Sequence, residues 1–262
     1  MKPRQILNLV ALFATLIVNW LANALPLNNR TTGEISDQFP VLFTPAGYVF
    51  SIWGLIYLLL LGFAVYQALP SQRDNPRLER TAYWFVLSNI FNSVWIFLWH
   101  YEQFLLTLAA MLGLLVSLIV IYQRLEIGLK QVDRLEKYLV NLPFSIYLGW
   151  ISVATIANFS TTLYDLGWNG FGIAPEIWTV IMLLVATGLG FIMLLRRRDF
   201  AYALVLAWAF IGITARQNDT PLVAVTAAVT ALILLIALLF LFLRPRLAPS
   251  QVNVRNNQES KA

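Results

Sequence analysis

The chain has 262 residues, of which 59% are hydrophobic and only 12% charged, with a mean hydropathy of +0.71. A soluble domain carries about 25% charged residues, so the composition excludes a water-soluble fold and points to an all-α integral membrane protein. There is no cysteine and one histidine, His100, which excludes disulfides, thiolate metal sites, a cysteine nucleophile and histidine-rich metal centres.

Eight apolar runs follow one another at about 6–25, 46–69, 82–100, 104–122, 138–160, 176–195, 200–215 and 221–243. Each is near the length that crosses the hydrocarbon core, so eight transmembrane helices are expected. The connecting segments set the orientation. Lys2 and Arg4 precede the first run. Arg73, Arg77 and Arg80 follow the second. Arg124, Lys130, Arg134 and Lys137 follow the fourth, and Arg196, Arg197 and Arg198 follow the sixth. Arg244, Arg246, Arg255 and Lys261 come after the eighth, which leaves only Arg30 and Arg216 of the 18 basic residues on the opposite side. The positive-inside rule then places both termini in the cytoplasm. The pI near 9.6 is a topology signal rather than a sign of nucleic-acid binding, and no nucleic-acid partner is expected. Membrane lipid is the expected surrounding partner.

The N-terminal run also fits a cleaved signal peptide, with Ala22-Asn23-Ala24 as a small-residue cleavage site; its nearly full span length favours retention. The polar segment Asn28–Thr44 is long enough to lie over the helix ends as a lid, although most such loops are solvated connectors. Trp168 and Tyr164, in the segment 161–175, are expected at the lipid interface, as are Trp99, Tyr101 and Trp178. The tail beyond Arg246 is polar and expected to be disordered.

Depth distinguishes other aromatic and amide residues. Trp53 lies about eight residues, roughly 12 Å, into its helix. Asn92 and Trp150 lie at comparable depths in the third and fifth runs, and Asn19 lies in the same half of the first. Helical spacing aligns Trp53 with Tyr57, Asn89 with Asn92 and Trp95, and Tyr147 with Trp150, Ala154 and Asn158. One reading is that these amides only bond neighbouring helices together. The other is that indoles and amides converge on a pocket for a flat, partly polar ligand. The spans contain almost no ionisable residue, so neither general acid–base chemistry nor an ion-coupling site is expected within the bilayer. His100, beside Tyr101 and Glu102, reads as an interfacial residue before it reads as a haem ligand.

Three motifs carry a resemblance. They are Pro45-Ala-Gly-Tyr48-Val-Phe50 with Trp53-Gly-Leu-Ile-Tyr57, Asn92-Ser-Val-Trp95, and Tyr147-Leu-Gly-Trp150-Ile-Ser-Val-Ala154 with Asn158. In this order they resemble the TspO/MBR family, the tryptophan-rich sensory proteins and the translocator (peripheral benzodiazepine-receptor) protein, over about residues 6–165. The chain departs from the family pattern in three places. The interval from Phe50 to Trp53 is one residue shorter. Tyr48 stands where tryptophan is common. Ile146 replaces the proline before Tyr147, with Pro143 one turn earlier, so the kink in that helix is expected to be displaced.

The resemblance implies a TspO-like five-helix bundle over 1–165, three additional helices over 166–246 and a polar cytoplasmic tail over 247–262. It implies a tryptophan-rich sensory membrane protein that binds a porphyrin or other tetrapyrrole, with haem, protoporphyrin IX or sterol-like molecules as hydrophobic small-molecule ligands and no resident cofactor. It places ligand contact on Pro45, Trp53, Asn92, Trp150 and Ala154; with Tyr48 of the first motif and the face-sharing neighbours Tyr57, Trp95, Tyr147 and Asn158 these make up the candidate set. No catalytic or metal residue is assigned. Light-dependent porphyrin degradation is an activity the resemblance carries and the residues do not require. It leaves room for a homodimer, and the expected location is a bacterial inner membrane, multi-pass. A facilitator or exporter of a small amphipathic solute and a purely structural membrane protein remain as alternatives. Faint echoes of 43–53 and 82–87 in 171–178 and 201–206 raise a parallel four-plus-four repeat, against chance similarity between apolar helices.

Overall fold

The computed structural model describes residues 1–25 and 27–244. The tail call at 247–262 therefore lies outside the described residues. The described residues contain eight long helices: α1 (Pro3–Ala24), α2 (Ile52–Ala68), α3 (Trp84–His100), α4 (Phe104–Arg124), α5 (Leu142–Asp165), α6 (Pro175–Arg197), α7 (Phe200–Arg216) and α8 (Pro221–Leu243). Six stretches are long and apolar enough to cross a membrane: α1, Gly47–Ala68, α4, Arg134–Asp165, α6 and α8. The other two helices, α3 and α7, have 17 residues each. That is about 25 Å of rise, a little under the ~30 Å of a hydrocarbon core.

Helix starts follow ordinary local rules. Proline occupies the first turn of α1, α5, α6 and α8, where a missing N–H costs nothing. Asp199 caps α7 by accepting the Tyr202 N–H at 3.1 Å. The π-helical turn Lys137–Asn141 leads directly into α5. The Leu142 amide reaches back five residues to the Lys137 carbonyl. This wider turn sits immediately before Pro143, so the irregularity in this helix falls about one turn ahead of Ile146.

Helix neighbours run α1–α2, α2–α5, α5–α4, α4–α3 and α3–α1, which closes a five-helix ring. The remaining helices α6, α7 and α8 pack on one another, and α7 joins them to α5 and to the 3-10 turn Gly47–Ser51 at the mouth of α2. The two halves share the pairings α1–α3 with α5–α7, and α3–α4 with α7–α8. They differ at the second helix: α6 packs on both α7 and α8, whereas α2 packs mainly on α1 and α5 and meets α3 at the Phe63–Phe85 ring contact of 5.0 Å. A full four-plus-four repeat therefore does not describe the packing.

Polar residues on α1 face inward. Gln5, Asn8 and Thr15 are buried and align at helical spacing. Gln5 Nε2 donates to the Gln67 carbonyl at 2.5 Å, Gln67 Nε2 donates back to the Gln5 carbonyl at 3.1 Å, and Thr15 Oγ1 donates to the Asn89 carbonyl at 3.0 Å. These polar groups bond α1 to α2 and α3.

The basic segments meet at one end. Arg77 is 5% exposed, forms an ion pair with Glu136 at 3.2 Å, and donates from Nη2 to the Leu125 carbonyl at 2.7 Å. Arg197 reaches the Ile127 carbonyl at 3.3 Å. The opposite end carries Arg30, paired with Glu102 at 2.6 Å, and Arg216, paired with Asp37 at 2.5 Å.

Candidate functional site

The candidate residues converge inside the five-helix ring. Trp53 on α2 stacks on Tyr57 one turn later, with centroids 5.4 Å apart. It meets Tyr147 and Trp150 of α5 edge-on at 6.0 and 6.1 Å. Phe50, from the 3-10 turn before α2, meets Trp150 at 5.8 Å. Across the ring, Trp95 and Trp99 of α3 stack at 5.3 Å.

Phe50, Trp53, Trp95, Trp99 and Trp150 line a cavity of about 60 Å³. Pro45, Trp53, Trp95, Trp150, Ala154 and Asn158 from the sequence-derived set all line it. Thr44, Phe50, Trp99, Met111, Val153, Ala157 and Thr161 complete the wall, and Thr32 and Ser36 close it from the loop side. The segment Asn28–Thr44 is thus a lid. Its short helix Thr32–Asp37 has a capping box: the Glu34 amide bonds Thr31 Oγ1, and the Glu34 carboxylate accepts the Thr31 amide at 2.7 Å. These bonds hold the exposed Glu34 carboxyl below its usual range.

His100 latches the lid. It is 0% exposed, which corrects its reading as an interfacial residue: the chain folds back over it. Its Nδ1 lies 3.1 Å from the Leu27 carbonyl and its Nε2 lies 3.1 Å from Thr32 Oγ1. The neutral tautomer with its proton on Nδ1 satisfies both partners. Trp99 adds a bond from its indole N–H to the Thr32 carbonyl at 3.1 Å. Trp99 was also expected at the interface; it is 5% exposed and lines the cavity. Its position four residues after Trp95 is the signal that pointed inward.

Four candidates lie outside the cavity wall. Tyr57 sits behind Trp53 in its stack. Asn92 accepts from Asn19 Nδ2 at 2.8 Å and donates to the Tyr147 hydroxyl at 3.0 Å, so Asn92 and Tyr147 form a buried strut between α1, α3 and α5. Tyr48 is 49% exposed and meets Trp208 of α7 edge-on at 5.5 Å. It faces away from the cavity because the 3-10 turn rotates it to the α7 side.

Three buried polar atoms of the wall have no hydrogen-bond partner: Trp95 Nε1, Trp150 Nε1 and Asn158 Oδ1. Asn158 spends its amide N–H on Thr107 Oγ1 at 3.0 Å. Each orphan costs about 1–3 kcal/mol. The wall is therefore aromatic on most sides, with two unused donors and one unused acceptor.

Helix α7 supports the wall from outside. The Ala46 amide donates to the Gly212 carbonyl at 3.0 Å, and the Trp208 indole donates to the Val49 carbonyl at 3.2 Å. A side chain at Gly212 would lie 2.1 Å from Val49 Cγ2, so glycine is what permits this approach.

Neither a search of curated proteins nor one of solved structures gives a match. A family model described as TSPO-like protein matches residues 5–240. The match runs through all eight helices, beyond the 6–165 covered by the motif resemblance, and includes α7 with its hold on the cavity wall. The shared family, the inward-facing tryptophans and the succession of apolar helices agree: this chain is an integral, multi-pass membrane protein and belongs to the TSPO-like family.

Proposed function

We propose that this chain is a membrane sensory protein that binds a porphyrin or similarly flat hydrophobic ligand between α2, α3, α4 and α5. The observation that carries the reading is the indole-lined chamber with three unpartnered polar atoms, Trp95 Nε1, Trp150 Nε1 and Asn158 Oδ1. Such a wall suits a ligand with an aromatic face, an acceptor edge and a donor edge. A tetrapyrrole offers the aromatic face and, in its propionate carboxylates, the acceptor edge.

Volume sets a condition. A site that buries a drug-sized ligand holds about 300–1,000 Å³, and the chamber here holds about 60 Å³. Binding a macrocycle therefore requires the lid to lift and Trp53 to swing from its stack on Tyr57. The closed form described above is the resting form, and ligand affinity includes the cost of opening it.

In this reading α3 and α7 also span the bilayer, giving eight spans with both termini cytoplasmic in the inner membrane of a bacterium. The gathering of the basic residues on one side of the helices supports that orientation. The chamber then opens toward the outer leaflet. No acid–base pair lines it, so ligand holding rather than hydrolytic turnover fits the wall.

The test is a titration of detergent-purified protein with protoporphyrin IX and a small bicyclic aromatic, followed by tryptophan quenching. Trp53→Phe, Trp95→Phe and Trp150→Phe are each expected to weaken binding about tenfold. Unchanged affinity in all three removes the chamber as the binding site. Tighter binding of the bicyclic ligand than of the porphyrin would make a smaller aromatic the natural class.

A further inference from the structure

A second, larger cavity of about 560 Å³ lies between α5 and α6, beside the lid. None of the residues assigned to the chamber line it. Its wall is built by Trp168 and Trp178, whose centroids are 5.3 Å apart and whose planes are inclined at 53°, together with Tyr164. The only ionisable group on the wall besides the tyrosine phenol is Glu176. The floor is apolar, including Phe43 and Met182. Tyr164 is 54% exposed, so this part of the crevice wall is open to the surroundings.

The crevice is a constructed feature. The Trp178 indole donates to the Gly170 carbonyl at 2.9 Å, which fixes the ring. Gly170 has φ +64°, and a side chain there would meet Trp178 Nε1 at 3.1 Å. Phe171 also adopts a left-handed conformation, φ 54°, uncommon for an aromatic residue. It is held there by the Asn169 side chain, which accepts the Phe171 amide at 3.0 Å. The loop thus holds two indoles at an angle on the wall that Glu176 also lines, with Phe171 in a left-handed conformation.

Glu176 pairs with no basic side chain among the described residues. The basic residues of this end, Arg30 and Arg216, are engaged by Glu102 and Asp37. Aspartates and glutamates outnumber them there, with Glu34, Asp165 and Asp219 in addition. An anion is therefore repelled from the crevice, and a neutral apolar ligand would leave the carboxylate unused. Indole faces attract cations, most strongly when water is displaced.

We infer that the α5–α6 crevice binds an organic ammonium group carried on an apolar chain, with Trp168, Trp178 and Tyr164 facing the ammonium, Glu176 neutralising it and the apolar floor taking the chain. The same chemistry is offered by a choline lipid headgroup and by a free amphipathic amine.

The experiment uses full-length protein in nanodiscs made only of phosphatidylglycerol or only of phosphatidylcholine, with empty discs subtracted. Decyltrimethylammonium is titrated by calorimetry. Saturable binding in phosphatidylglycerol discs is expected, about tenfold weaker in Glu176→Gln and in Trp178→Phe and restored by Glu176→Asp. An uncharged tert-butyl analogue of the same chain length, titrated into the unaltered protein, is expected to bind at least tenfold more weakly; this arm does not depend on any variant folding. Loss of probe binding in phosphatidylcholine discs assigns the crevice to the lipid headgroup, and retained binding assigns it to a free amine. Absence of saturable binding in phosphatidylglycerol discs, or equal binding of the uncharged analogue, overturns the inference. Protoporphyrin titration of Glu176→Gln should be unchanged, which keeps this site separate from the chamber.

Discussion

The sharpest prediction concerns Gly212, a residue on α7 that lies outside the chamber wall and packs against Val49 and Pro45. An alanine there would put a methyl 2.1 Å from Val49 Cγ2 and 3.0 Å from Pro45 Cβ, where carbon atoms normally rest at about 3.5–4.0 Å. Val49 is 0% exposed and so has little room to yield. Overpacking of this kind costs about 1–3 kcal/mol, and the gain of alanine over glycine in a helix returns about 0.8–1 kcal/mol. With the overlap near the severe end, the net cost is about 2 kcal/mol. The strain presses on the segment that supplies Pro45 and Phe50 to the chamber wall. Gly212→Ala is therefore expected to lower Tm by several degrees and to raise the Kd for protoporphyrin IX about tenfold. Adding Val49→Ala removes the obstructing methyl groups and should restore most of both. Thermal melts and quenching titrations on the three variants check this. An unaltered Tm and Kd in Gly212→Ala, or a double variant no better than the single, would refute the account of α7 as a support for the wall.

Other outcomes follow from the same geometry. His100→Ala removes both lid bonds, so ligand association and dissociation measured by stopped-flow quenching should each speed up several-fold, with Trp53 contacts untouched. Arg77→Ala leaves Glu136 buried without its partner, a change that costs about 3–5 kcal/mol for a buried pair; reduced extraction yield and a large fall in Tm are expected, whereas Arg80→Ala, an exposed pair with Glu126, should shift Tm by a degree or two at most. Glu34 is held below its ordinary range by its bonds to Thr31; its contribution to the lid helix is complete above the ordinary glutamate range near 4.3 and is lost as pH falls through the lowered value. Hydrogen exchange over residues 31–38, corrected for intrinsic rates, should accelerate below about pH 4, and Glu34→Ala should show the faster exchange already at pH 6.

Much of this site was legible from spacing. Trp53, Trp95, Trp150, Ala154 and Asn158 share helix faces at three- and four-residue intervals, and the fold turns those faces onto one cavity. Asn92 and Tyr147 share those faces too, yet they bond to each other. Periodicity reports a face, not whether a group on it meets space or another side chain. Tyr48 was misplaced because the segment before α2 is a 3-10 turn, with three residues per turn rather than 3.6. Trp99 and His100 look interfacial by depth alone; only the return of residues 27–36 over them removes them from water. Gly212 and Val49 lie far apart in the chain, and nothing in either neighbourhood announces their contact.

Helix α5 is 61% buried along its apolar stretch, where no other candidate span exceeds 44%. On one side it presents Trp150 and Asn158 to the chamber. On the other, Gly149 admits Tyr202 and Val205 of α7 to within 3.1–3.4 Å of where a side chain would begin, and Ser145 donates at 2.6 Å to Asp199, which also accepts from Tyr122. One helix thus borders the chamber on one face and packs tightly on α7 with the other. A shift of α5 on the chamber side would strain its close contacts with α7 at Gly149 and the Ser145–Asp199 bond on the other.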